Sequence, residues 1–173
     1  KFNKPIDRWS VNKVTDMSYM FYKSSGYTSS DDDDDDYESD PSEAKFDQNL
    51  NVWNVSKVTS MSFMFYGASQ FNQLLNGWNT GNVVAMNNMF DGALQFNQPV
   101  NGWNVNSVQD MGWMFADSDF INHNTRFHNF NKPLDGWDVS SVINMRFMFA
   151  GSKYFNQQIN AWNTSQVTDM AGM

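Results

Sequence analysis

The residues best suited to chemistry in this 173-residue chain sit in two short stretches. The first, "SSDDDDDDYESDPSEAK", packs Asp31–Asp36, Glu38, Asp40 and Glu43, nine acids, into thirteen residues without a Lys or Arg. Counted from Asp32, carboxylates fall at positions 1, 3, 5, 7, 9 and 12, as Asp32, Asp34, Asp36, Glu38, Asp40 and Glu43. That is the oxygen-ligand spacing of a calcium-binding loop. Tyr37 stands where such a loop needs glycine for its sharp turn, and no flanking helices are evident. The competing reading is a solvated loop that loosely attracts divalent cations. The second stretch, "DSDFINHNTRFHNF", holds both histidines, His123 and His128, five residues apart. Two imidazoles five residues apart are by themselves a weak metal signal. The alternative is a surface loop pinned through Phe120, Ile121 or Phe127.

Catalytic constellations are missing from the rest. Cys is absent, which removes thiolate nucleophiles, thiolate metal sites and disulfides together. No Ser-His-acid set, phosphate-cradling Gly loop or zinc-helix motif occurs, so the expectation is a non-enzyme. The net charge of −8 belongs to the acidic stretch, because outside it ten acids face eleven Lys and Arg. No basic stripe is present to hold phosphates, which argues against a nucleic-acid partner. No apolar run approaches the roughly 18 residues of a membrane span, and no basic-then-apolar signal segment opens the chain.

The elements that must position any site are six copies of one unit. Trp9, Trp53, Trp78, Trp103, Trp137 and Trp162 head them at spacings of 44, 25, 25, 34 and 25. The long spacings are one 25-residue period carrying insertions, at about 24–43 and 118–127. Seven residues before each Trp stands Phe2, Phe46, Phe71, Phe96, Phe130 or Phe155. Three before it stands Ile6, Leu50, Leu75, Val100, Leu134 or Ile159, and five after it Val14, Val58, Val83, Val108, Val142 or Val167. All twelve methionines fall eight and eleven residues after a Trp, from Met17/Met20 to Met170/Met173. A fixed period of this length signals a solenoid.

Within a unit, Leu134–Val142 reads L-x-x-W-x-V-x-x-V, the spacing of a leucine-rich repeat with Trp for the second Leu. The alternation Trp137-Asp138-Val139 suits a short strand. Met145, Met148 and Phe149, at i, i+3 and i+4, suit a short helical or 3₁₀ turn. Each coil of about 25 residues is therefore expected to hold one short parallel strand and one such turn, in a single solenoid over residues 1–173. An isolated coil cannot offset its ordering entropy, so coils must stack. The Trp, Phe and Met columns are expected to be core. Asn72, Asn97 and Asn156 of the F-N-Q phrases are expected to form a ladder bonded to backbone groups at the coil turns.

The phrase F-N-Q-P-V-N-G-W-N-V-N-S-V-Q-D-M-G-W-M-F, Phe96–Phe115, resembles the BspA-like surface-protein repeat, a divergent leucine-rich repeat also found in mycoplasma-type surface lipoproteins. The resemblance covers nearly the whole chain except its insertions; Thr80 and Thr164 depart from the valine that stands two residues after the other Trp residues. It implies surface or extracellular exposure, adhesion and no enzymatic activity.

Outward positions carry the remaining expectations. Directly after the Trp residues stand Ser10, Asn54, Asn79, Asn104, Asp138 and Asn163, a polar stripe on the expected strand face. Gly77, Gly102 and Gly136 before the Trp leave that face open. The stripe is either a binding surface for a protein or glycan, with Asn54, Asn79, Asn104, Asp138 and Asn163 as contacts, or a solvated ladder. Asn54-Val-Ser56 and Asn163-Thr-Ser165 are also glycosylation sequons on the same stripe. Neither end of the chain changes character. The expectation is a segment of a longer array, or coils that pack end to end on neighbouring copies as a fibre.

Overall fold

Apolar residues three apart recur along every unit because each pair forms the two ends of a tight turn. The computed structural model describes residues 3–22, 46–118 and 127–173. In the second coil the N–H of Trp53 donates to Leu50 C=O (3.0 Å), Val58 to Val55 (2.9 Å), Met64 to Met61 (3.2 Å) and Ala68 to Phe65 (2.9 Å). A four-residue turn brings its first and last Cα within about 7 Å, so both corner side chains enter the same interior. All eight of these residues are buried. The spacing read as a helical face is thus that of successive turns.

The methionine turns have a definite type. Their third residue has positive φ while the second does not: Tyr19 (61°), Phe63 (58°), Asn88 (55°), Trp113 (59°), Phe147 (52°) and Gly172 (67°). That is the type II pattern, which favours Gly or Asn at the third place. A second such turn follows, with Gly67, Gly92 and Gly151 at its third residue, at φ 66°, 71° and 74°.

Coils are joined through the same segment. The N–H groups of Met61, Phe63, Phe65 and Gly67 donate to the carbonyls of Ala85, Asn87, Met89 and Asp91 in the next coil, at 2.8–3.0 Å. Alternate N–H groups close the turns and the others cross to the neighbour. Among the described residues the only parallel pairing is one residue deep: Asp16 with Ser60, then Ala85, Asp110, Asn144 and Asp169 in series. Among the described residues no α-helix and no multi-residue strand forms. The strand expected at Trp137–Val139 is instead the link between two turns, and the pairing sits one residue before the first Met. The short helix expected at the methionines is excluded by the positive φ within it.

Side chains stack in columns along the array. Phe46, Phe71, Phe96, Phe130 and Phe155 succeed one another at 6.0–6.1 Å between ring centroids. A second file, Phe21, Phe65, Phe90, Phe115 and Phe149, runs beside it at 5.4–5.9 Å. These near-parallel, offset rings lie in the favourable range for aromatic pairs. The tryptophans add direction. Indole Nε1 of Trp53, Trp78, Trp103, Trp137 and Trp162 donates to the carbonyl of Ile6, Leu50, Leu75, Val100 and Leu134, each in the preceding coil, at 2.9–3.1 Å. Each of these carbonyls also accepts its own coil's Trp N–H, so two donors converge on one oxygen.

The expected asparagine ladder is present. Asn72 Oδ1 accepts Asn97 N–H (3.0 Å), Asn97 Oδ1 accepts Asn131 N–H (3.0 Å) and Asn131 Oδ1 accepts Asn156 N–H (3.2 Å). Asn3 and Asp47 extend it backwards, and Gln98 and Gln157 brace it with side-chain amides. Each rung satisfies a backbone donor that the turns leave over.

Candidate functional site

The stripe after the tryptophans is exposed at Asn54, Asn79, Asn104, Asp138 and Asn163. Each of these side chains accepts a backbone N–H two residues on, from Ser56, Gly81, Asn106, Ser140 and Ser165, at 3.1–3.2 Å. These are Asx turns: the residue type is fixed by the need to initiate the Val-x-x-Val turn, and the stripe results from repetition. Ser10 differs, donating to Asn12 Oδ1. Hydrogen bonds tie neighbouring coils beside the stripe, Thr80 Oγ1 to Asn104 C=O and Ser107 Oγ to Gly81 C=O, both 2.9 Å. The glycines before the Trp have a closer cause than an open face. A Cβ on Gly77 would stand 2.9 Å from Asn51 C=O, and one on Gly136 3.0 Å from Asn101 Oδ1, whereas Gly102 has nothing within 4 Å. Asn51 and Asn101 use that room to accept the Gly77 and Gly136 N–H groups.

Charge on the outer surface is held by local bonds. The Asp16 and Asp138 carboxyls lie below their ordinary range because the Ser18 and Ser140 hydroxyls, then the same residues' N–H groups, bond the ionised form. Asp169 is lowered chiefly by the Ala171 N–H, with Arg146 adding to it.

His128 is fully buried, with Nε2 3.0 Å from Phe90 C=O and Nδ1 accepting the Phe130 N–H at 3.2 Å. Only the tautomer with hydrogen on Nε2 satisfies both partners. Burial pushes its pKa down to about 4, against the carbonyl bond that favours the charged form. It ties the start of the fifth coil to Phe90 of the third, bonded on both nitrogens and so unsuited to a metal. His123, Phe120 and Ile121 lie outside the described residues, as do Asp32, Asp34, Asp36, Glu38, Asp40 and Glu43 of the calcium-like spacing. Phe127, the remaining expected anchor, lies under the Lys153 ammonium at 4.6 Å. Among the described residues no three His, Cys, Asp or Glu side chains gather as a metal site. No helix among them is long and apolar enough to cross a membrane.

The feature that sequence reasoning missed is the outward column at the third residue of the methionine turn. Asn88 and Gly172 obey the type II rule there; Tyr19, Phe63, Trp113 and Phe147 break it. A left-handed conformation costs a side-chain-bearing residue about 1–2 kcal/mol, hence roughly 4–8 kcal/mol for four. The column's two ring pairs, Tyr19–Phe63 at 4.8 Å and Trp113–Phe147 at 4.4 Å, offset about 1–3 kcal/mol of that. Partial burial of the Phe63, Trp113 and Phe147 rings adds to that offset. The missed signal was a Gly and an Asn sharing a column with bulky rings.

Stacked coils of a single turn-built unit, tied by tryptophan and asparagine ladders, define a repetitive solenoid-like protein. The chain belongs to the family described as Mycoplasma protein of unknown function, DUF285, whose model matches residues 1–41, 36–127 and 124–173. No curated protein and no solved structure matches it.

Proposed function

We propose that this chain is a non-enzymatic structural and adhesive repeat segment, exposed at the cell surface or outside it, whose coils continue into a longer array or fibre. The carrying observation is that a coil of this unit is built to be covered on both faces by others of its kind. Where a coil lies between two others, its Phe, aliphatic, Trp, Val and Met columns are 0–4 % exposed. Its methionine-turn N–H groups bond carbonyls of the following coil, and its indole bonds a carbonyl of the preceding one. The indole bonds run from each coil to its predecessor, so joining would be head to tail, a heterologous contact that extends without closing. The finer kinship we propose is with the BspA-like, leucine-rich-repeat type of surface protein, supported by the L-x-x-W-x-V-x-x-V spacing and one parallel pairing per coil.

A second reading rests on the five exposed side chains Asn54, Asn79, Asn104, Asp138 and Asn163 at one repeat position. It makes the chain a recognition module for a protein or glycan, with the sequons at Asn54 and Asn163 as glycan acceptors in an exporting eukaryotic host. Electron microscopy of concentrated protein separates the two. With the hydrogen-bonded backbones of adjacent coils about 4.8 Å apart, six coils span roughly 29 Å, and unbranched fibres with that axial repeat support the structural reading. The variant Met170→Lys/Met173→Lys should abolish them. Discrete short rods from the parent chain would refute the fibre and leave the stripe as the lead.

A further inference from the structure

We infer that His128 is an acid-sensitive latch: on taking up a proton, its imidazole frees the segment that begins the fifth coil. The observation behind this is a bond that a charged imidazole cannot make. Nδ1 accepts the Phe130 N–H at 3.2 Å, while Nε2 lies 3.0 Å from Phe90 C=O. Neutral imidazole offers the one acceptor and the one donor that these partners need. The cation carries hydrogen on both nitrogens, so Nδ1–H faces Phe130 N–H, donor against donor, at a fully buried position. Its charge is also withdrawn from water without a bonded counter-ion. The charged groups on the surrounding segments are Asp91 next to Phe90, Asp117 two residues after Phe115, Lys132 on the same segment, and Lys153, whose ammonium lies over Phe127 at 4.6 Å. None of these four bonds the imidazole. Asp91 accepts Ser118 N–H at 2.8 Å and Asn88 Nδ2 at 2.9 Å.

This joint leans on the contact more than its neighbours do. Coils two and three end in a backbone-closed turn, Ala68 N–H to Phe65 C=O and Ala93 N–H to Phe90 C=O, both 2.9 Å. Among the described residues no backbone N–H reaches the matching Phe115 C=O of coil four; the Ser152 hydroxyl does. The chain returns to the array through His128, whose Nε2–H joins Ala93 N–H on the Phe90 carbonyl. The residues around Phe130 carry bonds between coils: Asn129 N–H donates to Leu94 C=O (2.9 Å) and Asn131 N–H to Asn97 Oδ1 (3.0 Å). Repeat coils contact only their neighbours, and folded chains open in local units, so the opening is confined to this joint. Burial holds the folded pKa at about 4, against an ordinary 6.5. The opened segment therefore binds the proton first as pH falls, and opening becomes about thirtyfold more frequent at pH 5 than at pH 7.5. The latch is independent of whether coils join end to end or the asparagine stripe binds a ligand.

Hydrogen exchange of the full chain at the two pH values, read by mass spectrometry and normalised to intrinsic exchange rates, tests this. The Asn129, Phe130 and Asn131 amides should open about thirtyfold more often at pH 5, and Met61, Phe63 and Phe65 of coil two less than about threefold more. His128→Gln keeps one donor and one acceptor without a titrating ring, and should flatten the response at the three amides. In His123→Gln, His128 is the sole histidine, and the response should persist; this variant decides the matter if His128→Gln does not fold. The proposal is overturned if the three amides do not respond, if coil two responds equally, or if the response is lost in His123→Gln. It also fails if the response survives in folded His128→Gln, which would assign it to the buried carboxylates Asp91 and Asp117.

Discussion

Replacing one tryptophan by phenylalanine should have an effect that depends on where in the column it falls. Trp103 is 3 % exposed, stacks on Trp78 at 6.1 Å and donates to Leu75 C=O at 3.0 Å. Phenylalanine removes that donor, for about 1 kcal/mol. The lost five-membered ring leaves a void between fixed neighbours, worth about another 1–3 kcal/mol. Leu75 C=O keeps its bond from Trp78 N–H, so no buried carbonyl is orphaned. The expected loss is roughly 2–4 kcal/mol. Trp9 heads the same motif but is 54 % exposed, and Trp9→Phe should cost below about 1 kcal/mol. Because repeat stability is a sum of coil and interface contributions, Trp103→Phe should also divide a single unfolding transition into two. Urea unfolding followed by tryptophan fluorescence and by circular dichroism measures both effects. Equal losses at Trp9 and Trp103, with one coincident transition in each variant, would refute the idea that the indoles couple coils.

Acid should weaken the fold through His128 before it reaches the carboxylates. Its folded pKa of about 4 lies below the ordinary 6.5, so the unfolded chain binds the extra proton first. Stability is then full above about pH 6.5 and falls as pH drops towards 4, by about 2.5 kcal/mol at pH 4.5. Asp16, Asp138 and Asp169, lowered from 3.8, lose their contribution only below that window. Urea midpoints at pH 7.5 and 4.5 should therefore differ strongly in the parent and little in His128→Gln, which starts less stable. The glycines before the tryptophans make an independent pair. Gly136→Ala should destabilise by about 1–3 kcal/mol through the clash with Asn101. Gly102→Ala, with open space around it, should be neutral or stabilising by up to about 1 kcal/mol in a thermal melt.

What the sequence exposed and what it concealed divide along a physical line. The Phe, Trp, Val and Met columns were legible because burial demands the same apolar residue in every coil. The ladder through Asn72 and Asn97 was legible because an amide at a turn has few other uses. Local conformation was not, since apolar residues at i and i+3 are shared by a helical turn and a β-turn. Gly67, Gly92 and Gly151, recurring at the third place of a turn, carried the distinction. The parallel pairing at Asp16, Ser60 and Ala85 left no trace in residue type, because only backbone takes part. The burial of His128 was not legible because its partner Phe90 C=O lies 38 residues back, in another coil. The outward rings Tyr19, Phe63, Trp113 and Phe147 were hidden because Asn88 and Gly172 fill the same column in other coils.

The indole bonds ignore how much chain lies between their partners. Trp53 reaches back 47 residues to Ile6, Trp137 reaches 37 to Val100, and Trp78 reaches 28 to Leu50, yet the bond lengths are alike. A gene encoding such units can therefore gain or lose one whole period by unequal recombination and still yield a chain whose every rung is filled. Length and decoration become variable traits under a constant interior, so one lineage can present surfaces of differing reach without inventing a new fold.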